Sequence, residues 1–375
     1  MKKRVFLIGC LLISMNLSAN EMEHQHASED HSMGHHSMDN ESMHSDKMGH
    51  SMNHGSHQVP IGVMGSQVHE KGHFMLSIRQ MNMRMKGNSD DGSALTDSEI
   101  INLPNPYPMM NMPSKLSVVP QEMDMNMTML GGMYGLTDRQ TLMVMAMYLE
   151  KDMTLSTYSP MMQRDLLGNF KTKTTGLSSI TVSSLIKISE GNGYQINAQI
   201  GLEKFIGDND ETGKVLTPMN MAKEMVLPYS MQVSDESTSL IAGLNISKNT
   251  ENWSYGGQIT FKNKIDDKEW SYGNGFTLNG WAGKNLSDSI WGSIRLSYAD
   301  IDSIDGRDMR IMAPVQTANP KNYGGSNYKL SFGLNKRLSN GDNLDFELSI
   351  PFEQKLNGPQ MEEDLTLTLG YKKGF

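Results

Sequence analysis

From about residue 73 to the terminus, apolar and polar positions alternate with a period of two. Leu344-Asp345-Phe346-Glu347-Leu348-Ser349-Ile350 does so strictly, and Leu365 to Phe375 places Leu, Leu, Leu, Tyr and Phe on one face. Such alternation is the signature of half-buried strands, because successive side chains point to opposite faces of a sheet. It predicts about twelve strands, at 73–86, 122–133, 139–150, 174–188, 193–205, 237–248, 252–264, 274–284, 289–300, 326–337, 343–355 and 362–375. Met219 to Val233 is the ambiguous stretch and is read as loop, since one added strand breaks an even count.

A soluble β-sandwich also alternates. Three features favour a transmembrane antiparallel barrel. The polar face carries Asp345, Glu347, Lys329, Arg337, Arg295 and Lys262, which a hydrated lumen tolerates and a sandwich core does not. The connections alternate between short (Gly135–Arg139, Glu190–Asn192, Asn249–Asn252, Asn285–Asp288, Ser339–Asp342) and long (Gly87–Gln121, Lys151–Lys173, Ile206–Glu236, Ile301–Gly325). Periplasmic turns and external loops of outer-membrane barrels differ in that way. The chain also closes an alternating strand on an aromatic, Phe375, as outer-membrane barrels do.

Ahead of the strands the pattern changes twice. Met1-Lys2-Lys3-Arg4, an apolar stretch over Val5–Met15 and Leu17-Ser18-Ala19 read as a signal peptide, residues 1–19, removed on export. Residues 20–58 hold nine of the 11 histidines, interleaved with methionine and lacking aromatic or β-branched side chains. Such a segment cannot offset its ordering entropy by burial and is expected to be a disordered tail. Residues 59–72 read as a linker, and 73–375 as the barrel.

Composition narrows the function. Among 375 residues, 33 Lys+Arg against 42 Asp+Glu give a net charge of -9, which argues against nucleic acid as a partner. The single cysteine lies in the expected leader, so no internal disulfide forms. Methionine is abundant, with 34 residues. In the tail, thioethers and imidazoles at short spacing without cysteine favour copper over a closed zinc site. The candidate ligands are His31, Met33, His35, His36, Met38, His44, Met48, His50, Met52 and His54, acting in varying subsets on Cu(I), Cu(II) or Ag(I) as a bound or transported ion. No cofactor is required. Met75, Met81, Met83 and Met85 share one face of the first strand and form a candidate lumen path for a soft cation. On the second strand Met123 to Met133 oppose Asp124, Asn126 and Thr128, which reads as a lipid-facing row of ordinary apolar residues. No catalytic residues emerge: only His69 and His73 remain beyond the tail, and Ser77 is some 13 Å from His73 along a strand. An enzyme is not expected.

The segments Met81–Asn88, Gly131–Arg139 and Thr141–Met145, with Trp281, Pro320, Gly324-Gly325, Pro351-Phe352 and Gly358-Pro359-Gln360, resemble the outer-membrane β-barrel family named for the meta-pathway of phenol degradation, the MetA-like transporters. The resemblance spans roughly residues 73 to 375 and implies a barrel transporter with no catalytic residues. The Met/His-rich head resembles outer-membrane copper-resistance proteins. The expectation is an outer-membrane channel of a Gram-negative bacterium that binds or exports copper or silver, its tail in the periplasm, its partners membrane lipid, the barrel-assembly machinery and transition-metal ions. The alternatives are a general channel for small apolar or aromatic solutes and a structural or adhesive barrel. Oligomeric state is left open.

Overall fold

The structure, a computed structural model, describes residues 58–108 and 112–375. The expected leader and the ten tail ligands lie outside the described residues. Twelve long antiparallel strands form the wall: β1 (Phe74–Asp90), β2 (Val118–Thr137), β3 (Gln140–Tyr158), β4 (Leu166–Gly191), β5 (Tyr194–Phe205), β6 (Thr238–Asn249), β7 (Trp253–Lys264), β8 (Gly275–Ser287), β9 (Ile290–Ile301), β10 (Gly325–Arg337), β11 (Asn343–Leu356) and β12 (Gln360–Gly374). Each pairs with its sequence neighbours, and β12 pairs back on β1, with Met75 opposite Gly374 and Arg84 opposite Leu365. Closure leaves the wall without a free edge. A short strand, Ser93–Leu95, extends the outer end of β1.

Alternation sorts the faces as the period requires. Phe346, Leu348, Leu365, Leu367 and Tyr371 point outward, while Asp345, Glu347, Ser349, Thr366 and Thr368 are buried inside. The outer surface carries an aromatic row across five strands, Phe261, Phe276, Tyr298, Tyr328 and Phe352, with successive centroids 4.6 to 5.9 Å apart. Near the opposite ends of the strands, Lys248, Lys284 and Lys373 sit over the rings of Tyr194, Trp253 and Phe375. Two aromatic levels flanking an exposed Leu/Ile/Val band are the lipid-facing surface of a membrane barrel.

The seam is fastened at its end. Phe375 N donates to Phe74 O at 2.8 Å, and the two rings lie 6.0 Å apart. Deleting Phe375 is expected to lower the yield of heat-modifiable folded barrel well below that of a Met22 deletion. Equal yields would remove the terminal aromatic from the assembly signal.

Two regions differ from the sequence reading. Strands β3 and β4 run on to Tyr158 and Leu166, shortening the connection expected from Lys151 to Lys173. Glu150, Asp152 and Lys173 project from this extension, so it lacks the apolar face that marks the membrane band. Met219 to Val233 adds no wall strand. It contributes Ala222–Val226, paired with Thr212–Leu216 in a separate hairpin.

Candidate functional site in the lumen

The methionines of β1, β2 and β3 all turn inward. On β1, Met75, Met81, Met83 and Met85 alternate with outward Phe74, Leu76 and Ile78. On β2, Met123, Met125, Met127, Met129 and Met133 share one face, with Met123 and Met129 buried and Leu130, Tyr134 and Leu136 exposed on the other. On β3, Met143, Met145, Met147 and Met153 face in while Leu142, Val144 and Tyr148 face out. This overturns the lipid-facing assignment of the β2 row. Its polar partners Asp124, Asn126 and Thr128 stand outside the barrel, where side chains bond across the β1–β2 pair. Thr128 Oγ1 donates to Gln80 Oε1 at 2.6 Å, Asn82 bonds Asn126, and Arg84 pairs with Glu122. A polar outer face high on a strand marks the part above the membrane rather than the lumen.

Register turns these rows into a continuous sulfur-rich wall. Met75, Met133 and Met143 are direct cross-strand partners, as are Met85, Met123 and Met153. Between them Met81 faces Met127, Met83 faces Met125 and Met129 faces Met147. Directly opposed side chains in an antiparallel pair have Cβ atoms about 4.5–5.5 Å apart, so these thioethers pack on one another.

The rest of the lumen is polar. Arg295 on β9 donates to Glu347 on β11 through Nη2 at 2.6 Å and Nε at 3.2 Å, to Asn279 Oδ1 at 2.8 Å, and to Ser331 Oγ at 3.1 Å. Lys372 pairs with Asp345 at 3.1 Å, Lys262 with Glu203 at 2.6 Å, and Lys329 with Glu363. Each of these four buried acids thus has a cation in reach, as desolvated charge requires.

Of residues 59–72, expected as a linker, 59–69 run inside the barrel and Glu70 to Gly72 return to the exposed turn between β2 and β3. Val59, Ile61 and Val63 are buried; Val59 and Val63 pack on Trp281, and Ile61 reaches Gly370. Gln258 Nε2 donates to Met64 O and Asn197 Nδ2 to Ser66 O, both at 2.6 Å. His69 N donates to Thr141 Oγ1 at 2.7 Å, which brings the segment back to the wall before β1 begins. Glycine is needed at two contacts. A Cβ on Gly62 would stand 2.3 Å from Arg295 Nη2, and Gly65 has φ +67 with Gln199 Oε1 2.3 Å from its would-be Cβ. Between this segment and the methionine wall lies a cavity of about 60 Å³, lined by Met64, Met75, Met129, Met133, Met143 and Met145 together with Ser77, Arg79 and Lys372.

The outer mouth is covered by loops 206–237, 265–274 and 302–324. Tyr229 stacks edge-on with Trp270 (4.9 Å) and Tyr323 (6.0 Å), and Trp270 with Tyr272 (5.3 Å). These rings join Leu227, Met231, Ile311 and Val315 in one apolar cluster that rests on Met123, Met153 and Leu155 of the wall. Lys151 on β3 donates to Ser230 O at 3.0 Å and Gln232 O at 2.5 Å, tying loop to wall. Beside this cluster an apolar pocket of about 50 Å³ opens between Phe170, Leu155, Val215 and Val226. Buried tyrosine hydroxyls are bonded: Tyr323 donates to Thr317 O at 2.6 Å, and Tyr229 accepts from Asp308 N at 2.9 Å.

Asp308 anchors this cover. Burial raises its pKa, but the Arg310 guanidinium and backbone N–H more than offset that and leave it below the ordinary aspartate value. Its stabilisation is therefore full above about pH 4, the unfolded value, and is lost as pH falls through the lowered one. Pepsin cleavage within loop 302–324 of the refolded protein is expected to set in only below about pH 4. Cleavage beginning between about pH 5 and 6 would assign the anchor to another group.

No protein-family model and no curated protein matches the chain. Among solved structures, an outer-membrane channel from Pseudomonas putida F1 aligns with a TM-score of 0.52 at 14% identity, over 82% of this chain and 97% of that one. The chain has the fold of an outer-membrane channel barrel. Looser matches are the toluene transporter TodX of Pseudomonas putida, TM-score 0.41 at 9% identity over 82% and 91% of the two chains, and a Pseudomonas aeruginosa FadL homologue, TM-score 0.36 at 11% identity over 81% and 89%. With its lipid-facing band and aromatic levels, the protein is an outer-membrane barrel.

Among the described residues, no group of three or more His, Cys, Asp and Glu side chains is arranged to hold a metal ion. The structure does bring together Met75, Met81, Met83 and Met85, and extends them with the β2 and β3 rows. The inner segment and Trp281 beneath it escape sequence reading as a lumen device. Their one visible signal is the small apolar run Val59-Pro60-Ile61-Gly62-Val63 directly after a strongly polar tail.

Proposed function

We propose that this chain is an outer-membrane channel for small apolar or aromatic solutes, shut in this conformation by the mouth loops and residues 59–69. The observation that carries the reading is the thioether wall, which begins under the apolar pocket at the mouth and ends at the inner cavity. Methionine adapts its shape through three rotatable bonds and makes favourable contacts with ring edges, so such a wall accommodates varied apolar solutes without binding any one tightly. The solved channel sharing the fold supports the transport class. Cells expressing the protein are expected to take up benzyl alcohol faster than vector controls. Replacing Met125, Met127 and Met147 together with Asn should remove that gain while leaving the barrel folded. Uptake equal to the vector control would end this reading.

A soft-metal role for the same lumen draws on a different observation. Among the described residues no outward position of the twelve strands carries methionine, although the outer band is rich in Leu, Ile and Val. The tail ligands His31 to His54 are proposed to gather Cu(I), Cu(II) or Ag(I) ahead of this wall.

A further inference from the structure

Apolar side chains are divided between the faces of β1–β3 by chemical type. Outward positions hold Phe74, Leu76, Ile78, Leu130, Leu142 and Val144; the inward face is dominated by methionine. A residue used only as a flexible hydrophobe would serve both faces. Sulfur is therefore the property being placed inside.

The concentration peaks at the inner cavity. Six of its lining residues are methionines: Met75, Met129, Met133, Met143 and Met145 from the wall, and Met64 from the inner segment. Met75, Met133 and Met143 are consecutive cross-strand partners, close enough for their long side chains to bring three sulfurs onto one point. A cavity of about 60 Å³ has room for a single ion with these ligands.

Thioether sulfur is a neutral, soft donor that selects Cu(I) and its heavier analogue Ag(I) over Na(I), Mg(II), Ca(II) or Zn(II). Local charge sharpens the choice. Arg79, Arg295 and Lys372 face Asp345 and Glu347, so three positive charges meet two negative ones. A hard cation held by charge is disfavoured there, and a divalent one doubly so. A soft monovalent ion held by sulfur donation is the least penalised.

We propose that this cavity is a binding site for a soft monovalent cation, Cu(I) or Ag(I), with Met75, Met133 and Met143 of the wall and Met64 of the inner segment as its sulfur donors. An ion held there links the segment that fills the barrel to the wall around it. The site is distinct from the tail ligands and goes beyond the solute reading above.

The test is a titration of the refolded full mature chain, labelled at methionine methyl carbons, with silver nitrate in chloride-free buffer. The Met64, Met75, Met133 and Met143 methyl resonances, assigned by single leucine replacements, separate the cavity from the tail within one sample. They are expected to shift together and to saturate at one common Ag(I) concentration, while Na(I) and Zn(II) leave them unmoved. Met133→Leu keeps volume and apolarity. Loss of outer-shell partners alone costs roughly 10–100-fold in metal affinity, so this loss of a donor should weaken Ag(I) binding at the cavity at least about tenfold. Cavity methyls that stay fixed while tail methyls move would overturn the site, as would four unrelated saturation points. Both readings are taken on the wild-type chain, and the volume-conserving leucine variants serve there only to assign its resonances.

Discussion

Excision of residues 59–66 from the mature chain is expected to raise single-channel conductance in planar bilayers several-fold. The excised stretch fills the lumen with three buried apolar side chains, Val59, Ile61 and Val63, and draws Gln258 and Asn197 across it through their bonds to Met64 O and Ser66 O. Burial of side chains of this size contributes roughly 1.5–3 kcal/mol each, so the segment does not leave the lumen spontaneously for long. Its removal returns two amides and Trp281 to water without touching the lipid face, and folding should survive. Gly65→Val should act in the same direction, because the positive φ and the approach to Gln199 both exclude a branched side chain. Adding Tyr229→Ala to the deletion loosens the mouth cover as well. An unchanged current in that double variant would show that neither barrier closes the barrel.

Glu347→Ala should be the most destabilising single change in the polar half of the lumen. Glu347 and Arg295 are 2% and 9% exposed at the side chain, and the guanidinium also bonds Asn279 and Ser331. Removing one partner of a buried pair leaves the other charge desolvated and alone, typically at a cost of about 3–5 kcal/mol. The urea midpoint for loss of the heat-modifiable form should fall accordingly. Replacing both residues, as Arg295→Met with Glu347→Leu, should recover much of the loss. A single variant as stable as the parent would mean that water reaches Arg295 freely.

The wall was legible because its rules are local. Strict alternation and the turn residues at Asp138-Arg139, Asn192-Gly193 and Asp288-Ser289 place β5 at Tyr194–Phe205 against an expected 193–205, and β9 at Ile290–Ile301 against 289–300. Local rules stop at the membrane boundary. Above it both faces of β3 and β4 carry polar residues, so Asn169 to Lys173 looks like loop although it is paired strand. The same boundary misdirected the β2 row: Asp124, Asn126 and Thr128 are polar because they stand above the lipid, which a single strand does not reveal without its β1 partner. The inner segment was hidden for another reason. Its bonds join Met64 to Gln258 and Ser66 to Asn197, across separations of 194 and 131 residues, and no pattern within sixteen residues encodes them.

The separation of side-chain types between the two faces also decides how the protein ages. Oxidants turn methionine into its sulfoxide, a polar and chiral group, and leave leucine, isoleucine and valine alone. Among the described residues of the twelve wall strands, damage of that kind falls on the inner face and none on the lipid-facing one. An oxidised molecule therefore stays in place in the lipid with its interior converted from greasy to wet and stripped of soft donors. Reductase repair would restore the passage without a new round of insertion.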